Sequence, residues 1–170
     1  MNIVRLNVRG IAALRTVVAG FRNARVKVGL LGNHADRFDA SWNRMSKNNP
    51  TVGMEHEFGV ARNPWGRRTP ARSFLRMPLI TRLPRRIEQI GAATWRAIIL
   101  RRSLADALAS LGAAAEATVQ EAFNTGGWGQ WQPISVQQIR RKGGRTVILI
   151  DSGQLRKAVT SRVVMKNPTP

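Results

Sequence analysis

The stretch SLADALASLGAAAEATVQEAFNTGG, residues 103–127, is the longest part of this sequence whose pattern predicts a single element. Apolar side chains recur along it at helical spacing, at Leu104, Leu108, Leu111, Ala115, Val119 and Phe123. Ser103 and Asp106 have the spacing of a capping box, in which the hydroxyl accepts one free backbone N–H and the acid accepts another. We therefore predict a helix over 104–124 that ends before Gly126, with Leu and Ala side chains suited to close packing.

Other segments have helical periodicity with weaker boundaries. One covers residues 8–22, and another covers 81–101 with Gly91 as a weak point. The segment 51–59 fits either an alternating strand or a short helix. The helix is favoured because its first residue, a threonine, can cap it and its last, a glycine, can end it. The polar segment 34–50 is either a long loop or a short helical insert.

Strands are predicted at 26–31, 146–150 and 160–165 from their apolar and β-branched content. Together with the helices they indicate an α+β fold: a small mixed sheet packed against two longer helices, with long basic loops. We expect a single domain over residues 1–170, whose last residues, 166–170, form a flexible tail.

Two short helices have start signals of their own. Ser135 can cap a helix over 136–142, which stops at the following pair of glycines. Asp151 comes directly after a predicted strand, and Gln154 stands three residues later. This spacing predicts that Asp151 is the N-cap of a helix through Lys157, with Gln154 as its reciprocal partner at the third helical position.

The residue types that carry catalysis or bind metal do not form convincing groups. The pair Asp151–Ser152 resembles a hydrolase motif, but a nucleophilic serine needs a base, and His34 and His56 are far away in sequence. The tripeptide Glu55–Glu57 cannot converge on one ion, because consecutive side chains point in different directions. Phosphate-binding glycine motifs are absent. The sequence therefore predicts no enzyme activity and no catalytic, cofactor or metal site.

Charge is the outlying bulk property. The 170 residues include 28 Lys and Arg against 9 Asp and Glu, a formal net charge of +19, and no cysteine. Eleven arginines and one acid, Glu88, lie between Arg62 and Arg102. A surface this basic favours polyanions or acidic protein faces as partners. Arg5 and Arg9 interrupt any export signal, and no window has the roughly 18 apolar residues of a membrane span, so no membrane partner is expected.

Aromatic residues among these arginines keep a second function open. Trp65, Phe74 and Trp95 lie within the basic region, and aromatic rings beside arginine can stack on bases. Signatures of zinc fingers, RRM or KH domains are absent, which argues against base-specific recognition. The alternative function is therefore non-specific binding of nucleic acid.

Several fragments occur in a defined order: VKVGLL (26–31), HEFG (56–59), TPARSFLR (69–76), the long Ala/Leu helix, WQPIS (131–135) and ILIDSGQLRKAVTSRV (148–163). This order resembles the tail-completion and neck proteins of tailed bacteriophages, a family also described as virion morphogenesis or minor tail proteins. Its members carry "EFG", "PAR-x-FLR" and "LIDTGQLR" elements in the same sequence order. The resemblance extends over roughly residues 26–165.

The resemblance implies a structural role in the virion, after assembly in the host cytoplasm. Such a subunit completes the head-proximal end of the tail and docks it to the head within a homo-oligomeric ring. The implied partners are the tail terminator or tube and the head–tail connector, and non-specific contact with packaged DNA stays open.

Arginine and aromatic residues commonly anchor interfaces. The predicted assembly residues are Glu57, Phe58, Arg67, Arg68, Arg72, Phe74, Arg76, Asp151, Gln154 and Leu155. If this is correct, Arg72→Glu leaves the chain folded and blocks particle formation.

Overall fold

The computed structural model describes residues 19–165 except 21, 32–35, 39, 40, 42, 44, 46, 62–67, 93, 94, 97, 98, 100–102, 145 and 151. Its elements are β1 (Ala24–Leu30), α1 (Asn49–Phe58), α2 (Arg76–Thr81), α3 (Leu83–Ile90), α4 (Leu104–Thr125), α5 (Val136–Arg141), α6 (Gln154–Lys157) and β2 (Val159–Met165). The fold is therefore α+β, as predicted. Almost all of the predicted helix over 8–22, and the whole predicted tail over 166–170, lie outside the described residues.

Helix α4 forms as the sequence predicts. The Ser103 hydroxyl accepts the Asp106 N–H at 3.1 Å, and the Asp106 carboxylate accepts the Ser103 N–H at 3.2 Å. Gly126 ends the helix with a φ of 61°, a left-handed conformation that costs glycine little. Both ends are set by residues within the segment itself.

The sheet consists of β1 and β2, which pair antiparallel with Lys27 directly opposite Arg162. One face of this pair packs against α4 at a close approach. A Cβ added at Gly112 of α4 would lie 2.5 Å from Ser161 Oγ and 3.4 Å from Val26 Cγ1. Because strand residues alternate between faces, Lys27 and Arg162 are exposed on the opposite face.

The predicted strand over 146–150 is wrong. Residues 148 and 149 form a turn, and Leu149 has a positive φ of 60°. The Ile148, Leu149 and Ile150 side chains pack against the buried core from this loop. Their apolar character therefore reflects burial, which a loop can provide without strand pairing. The sheet of the described residues is antiparallel and not mixed.

The predicted helix over 81–101 is divided. Helix α2 ends at Thr81, and α3 begins at Leu83 with Pro84 in its first turn. Proline lacks the N–H that a continuous helix needs, so it favours a new start at this point. Gly91, with a φ of 82°, then ends α3 at the predicted weak point. Only α4 is a long helix among the described elements, whereas two were predicted.

The shorter helices follow their local signals with small shifts. Asn48, and not Thr51, caps α1: its side-chain oxygen accepts the Thr51 N–H at 2.9 Å, and Pro50 occupies the first turn. Gly59 ends α1 as predicted, with a φ of 75°. Ser135 caps α5 with a capping box. The predicted end of α1 is thus confirmed, and so is that of α6, which ends at Lys157, while the start of α1 moves to Asn49.

The core lies where α4 meets α6, β2 and the loops that carry Phe74 and Trp131. The Phe123 ring stands 5.2 Å from the Phe74 ring and 6.0 Å from the Trp131 ring, measured between centroids. The buried cluster consists of Phe74, Val119, Ala122, Phe123, Trp131, Leu155 and Val159. Residues that lie up to 85 positions apart in the sequence, from Phe74 to Val159, therefore share one core.

Among the described residues, no helix combines the length and the apolar character needed to cross a membrane.

The close contact between α4 and the sheet predicts a clear effect of Gly112→Ala. Alanine favours a helix over glycine by about 1 kcal/mol. Overpacking against Ser161 nevertheless should lower the free energy of unfolding by about 1–2 kcal/mol, measured by urea denaturation.

Adding Ser161→Ala removes the nearest oxygen and should restore part of this loss, so the pair should show coupling in a double-mutant cycle. Ala113→Gly, at the exposed neighbouring position, controls for helix propensity alone. Stabilisation by Gly112→Ala would mean that the helix has room to accept a methyl group.

Candidate functional site

Glu57 is a buried carboxylate that caps a helix from another part of the chain. Its side chain is 7% exposed. Its Oε2 accepts the N–H groups of Phe74 and Leu75, each at 3.0 Å, and its Oε1 accepts that of Arg76 at 3.0 Å. These are free donors at the start of α2, whose N-cap Leu75 provides no side-chain acceptor. The acid thus joins α1 to the start of α2.

Ser73 completes this cap. Its hydroxyl bonds to Glu57 Oε1 and accepts the Met77 N–H at 3.0 Å. The Arg76 guanidinium lies 3.9 Å from the same carboxylate oxygen on the exposed side. The HEFG and TPARSFLR fragments are therefore joined by one network around a single acid.

Arg72 is also internal. It is 3% exposed. Its backbone N–H donates to the His56 carbonyl at 2.6 Å, next to the hydrogen bonds of Glu57. Its guanidinium donates to the carbonyls of Gln132 and Pro133, at 2.9 Å and 3.3 Å. Arg72 therefore holds the 131–135 loop against α1.

This burial corrects the expectation for Arg72→Glu. A glutamate would bring a carboxylate against two carbonyl oxygens and remove both hydrogen bonds. We now expect that substitution to destabilise the fold itself. A loss of particles in such a variant would therefore not identify Arg72 as an assembly contact.

Phe74 and Leu155 belong to the core, at 1% and 5% exposure. A Cβ added at Gly53 of α1 would come close to both side chains. The ILIDSGQLR fragment, which contains Leu155, thus shares the core with the TPARSFLR fragment and packs against α1, the helix that carries HEFG. As in the case of Arg72, the surface available to a partner of the folded chain does not include these side chains.

Gln154 has a different role from the predicted one. It is the first residue of α6, whose N-cap is Gly153 with a φ of 77°. Its amide pairs with the backbone of Phe38: the Phe38 N–H donates to Oε1 at 2.9 Å, and Nε2 donates to the Phe38 carbonyl at 2.6 Å. The prediction of Gln154 at the third helical position is therefore wrong. Asp151, its predicted partner, lies outside the described residues.

Three of the predicted assembly residues are exposed. Phe58 is 58% exposed, and the Arg76 guanidinium lies 5.4 Å from its ring centroid in a cation–π contact. Met54, one helical turn before Phe58 on α1, is 63% exposed. Arg68 is exposed as well, and Arg67 lies outside the described residues. We call Met54, Phe58 and Arg76 the exposed anchor group.

A cavity of about 290 Å³ lies where all three fragments meet. His56 and Arg72 come from the first two fragments and Gln154 from the third, while Arg37 and Lys142 come from elsewhere in the chain. Two buried nitrogens of the lining residues, Arg37 Nε and His56 Nδ1, have no hydrogen-bond partner. The sequence assigned no site role to Arg37, which lies in the segment 34–50, or to Lys142, which was only the last residue of a predicted helix.

The environment of His56 disfavours its charged form. Burial is the main cause and the Arg72 guanidinium the second, and together they lower the pKa of His56 to about 4, although Glu55 acts in the opposite direction. The imidazole is therefore neutral at pH 7. Among the described residues, no group of three or more His, Asp or Glu side chains is placed to hold a metal ion.

No protein-family model, curated protein or solved structure matches this chain.

Glu57→Gln should separate the charge of this acid from its shape. One side-chain oxygen becomes an NH₂ group that faces backbone donors, so we expect a loss of about 3 kcal/mol in the free energy of unfolding. The measurement is chemical denaturation followed by circular dichroism. Glu88→Gln on α3, at an exposed position, should change stability by less than about 0.5 kcal/mol. Equal effects of the two variants would contradict the capping role.

The free energy of unfolding should decrease as the pH is lowered, because His56 is held neutral in the folded chain. The folded-state pKa of about 4 lies below the unfolded value of 6.5. The neutral form therefore contributes its full stability above pH 6.5 and loses it as pH falls towards 4. Between pH 7 and pH 5, the wild-type chain should lose about 2 kcal/mol more than His56→Gln. Parallel losses in the two proteins would show that His56 titrates normally in the folded state.

Proposed function

We propose that this chain is a structural subunit of a tailed-bacteriophage virion, which completes the head-proximal end of the tail and docks it to the head. The main support is the ordered resemblance of the HEFG, TPARSFLR and ILIDSGQLR fragments, of which the first two are joined around Glu57 and the last two share one core.

The exposed anchor group supplies a surface suited to assembly. Met54 and Phe58 present large apolar side chains, and Arg76 covers one ring with a cation. Residues of these types dominate binding energy where they become fully desolvated, at about 2 kcal/mol or more on truncation. Because Glu57 fixes both α1 and the start of α2, these side chains are held on a rigid support.

The distribution of charge favours partners other than a second copy of the chain. Several described carboxylates already have internal partners: Glu55 with Lys47, Glu57 with α2, Asp106 with Ser103, Glu116 with the Ser161 N–H and Glu121 with Arg86. A second copy therefore offers few acids to complement a net charge of +19. In the proposed ring, contacts between copies are apolar, and the basic surface faces the tail terminator or tube, the head–tail connector or packaged DNA.

A second candidate function is non-specific binding of nucleic acid. It is favoured by the outer face of the sheet, where Arg25, Lys27 and Arg162 are exposed. Lys27 stands directly opposite Arg162. Like charges in this arrangement destabilise an isolated sheet. A bound phosphate backbone would relieve that repulsion.

The proposed role predicts particle assembly that depends on Phe58. Depletion of the chain from a phage that encodes it should leave separate heads and tails, seen by negative-stain electron microscopy, and wild-type chain supplied in trans should join them. Phe58→Ser should fold normally and lower the yield of joined particles at least tenfold, a loss of about 1.4 kcal/mol or more in docking.

Val136→Ser is the matched control, since Val136 is 66% exposed and lies outside the three fragments. It should restore assembly as well as the wild-type chain. Normal joining of heads to tails without the chain would contradict the proposed function. Equal yields of joined particles from Phe58→Ser and Val136→Ser would show that Phe58 is not part of the assembly surface.

The alternative predicts salt-dependent binding through the sheet. In mobility-shift titrations with duplex DNA, Lys27→Gln with Arg162→Gln should reduce the slope of log affinity against log salt by about 2. Arg140→Gln with Lys157→Gln removes the same charge from exposed positions on other elements and serves as the control. Equal slopes for the two double variants would mean that net charge, and not the sheet face, determines binding.

A further inference from the structure

We infer that the cavity where the three fragments meet binds a small oxyanion, a group of the size of phosphate or carboxylate, between Arg37, His56 and Arg72. This inference goes beyond the proposed function and does not depend on it. The cavity of about 290 Å³ has room for such a group together with water.

The first argument is the pair of unsatisfied buried nitrogens. Arg37 Nε always carries a hydrogen, and a neutral His56 can carry one on Nδ1. Buried polar atoms nearly always have partners in folded proteins, so two orphans that belong to the lining of one cavity indicate a missing acceptor. An oxyanion can accept hydrogen bonds from both nitrogens.

The second argument is charge, which distinguishes an anion from a water molecule. Arg37 and Arg72 both line the cavity, and the Arg72 guanidinium donates to carbonyl oxygens, which leave its charge uncompensated. The acid among the described lining residues, Glu55, forms an ion pair with Lys47. A guanidinium binds a carboxylate or phosphate oxygen more strongly than it binds water.

The third argument comes from the histidine. The charged groups acting on His56 are Arg72, Glu55, Arg37 and Lys142, and three of the four disfavour its protonation. The potential in the cavity is therefore positive before any ligand enters. An anion would lower that potential and raise the pKa of His56.

The test uses the full chain at constant ionic strength, with chloride replaced stepwise by inorganic phosphate. At a phosphate concentration about tenfold above Kd, the folding equilibrium constant should rise about tenfold. The His56 ring resonances, followed by NMR, should move to a higher apparent pKa over the same titration. Acetate in a parallel titration distinguishes a planar carboxylate from the tetrahedral anion, and saturation by either probe supports the inference.

Arg37→Gln should raise Kd at least tenfold, while Arg140→Gln, at an exposed position on α5, should leave it unchanged. If Arg37→Gln fails to fold, the His56 titration of the wild-type chain still decides the matter. Equal responses of all three proteins would show diffuse attraction to a basic surface and overturn the inference. The inference would also be overturned if neither anion moved the His56 resonances. A third contrary result is phosphate binding to Asp151→Asn but not to the wild-type chain, because the carboxylate of Asp151 would then occupy the cavity.

Discussion

The Glu57 carboxylate is the interaction on which the rest of this fold depends. A buried carboxylate is costly unless hydrogen bonds replace its lost hydration. Helix α2 supplies N–H donors that lack an acceptor of their own, so each group satisfies what the other lacks. Because Phe74 is one of the donors, the same network places its ring against Phe123. A single acid thus sets a helix start, an interhelical contact and part of the core.

The sequence predicted the features that depend on neighbouring residues. The capping box at Ser103 and the N-cap at Ser135 depend only on residues three positions apart, so both were readable from the sequence, and the structure adds a reciprocal Gln138 contact at Ser135. The same rule failed at Asp151 and Gln154. There the Gln154 amide pairs with the backbone of Phe38, from a distant part of the chain. No local pattern distinguishes an amide that caps its own helix from one that binds a remote segment.

Burial was the second source of error. An assembly role was predicted for Arg72 from the family resemblance and because arginine commonly anchors interfaces. Two carbonyls of the 131–135 loop make burial possible here, and that loop is far away in sequence. Apolar content likewise predicted a strand at 146–150, where a loop covers the core. In both cases the residue type was interpreted correctly, but the sequence does not show which distant segment the residues pack against.

The fold also explains why so much positive charge remains outside. Glu57 and Glu116 accept backbone N–H groups, and Asp106 caps α4, so these acids spend much of their hydrogen-bonding capacity inside the chain. Using carboxylates as structural acceptors leaves the surface more basic than the composition alone suggests. Within the fragments that resemble the phage family, Glu57 therefore belongs to the internal frame, whereas Phe58 and Arg76 are exposed. The internal position of Glu57 follows from hydrogen bonding, because a carboxylate whose oxygens accept backbone N–H groups inside the chain has little left to offer a donor outside it.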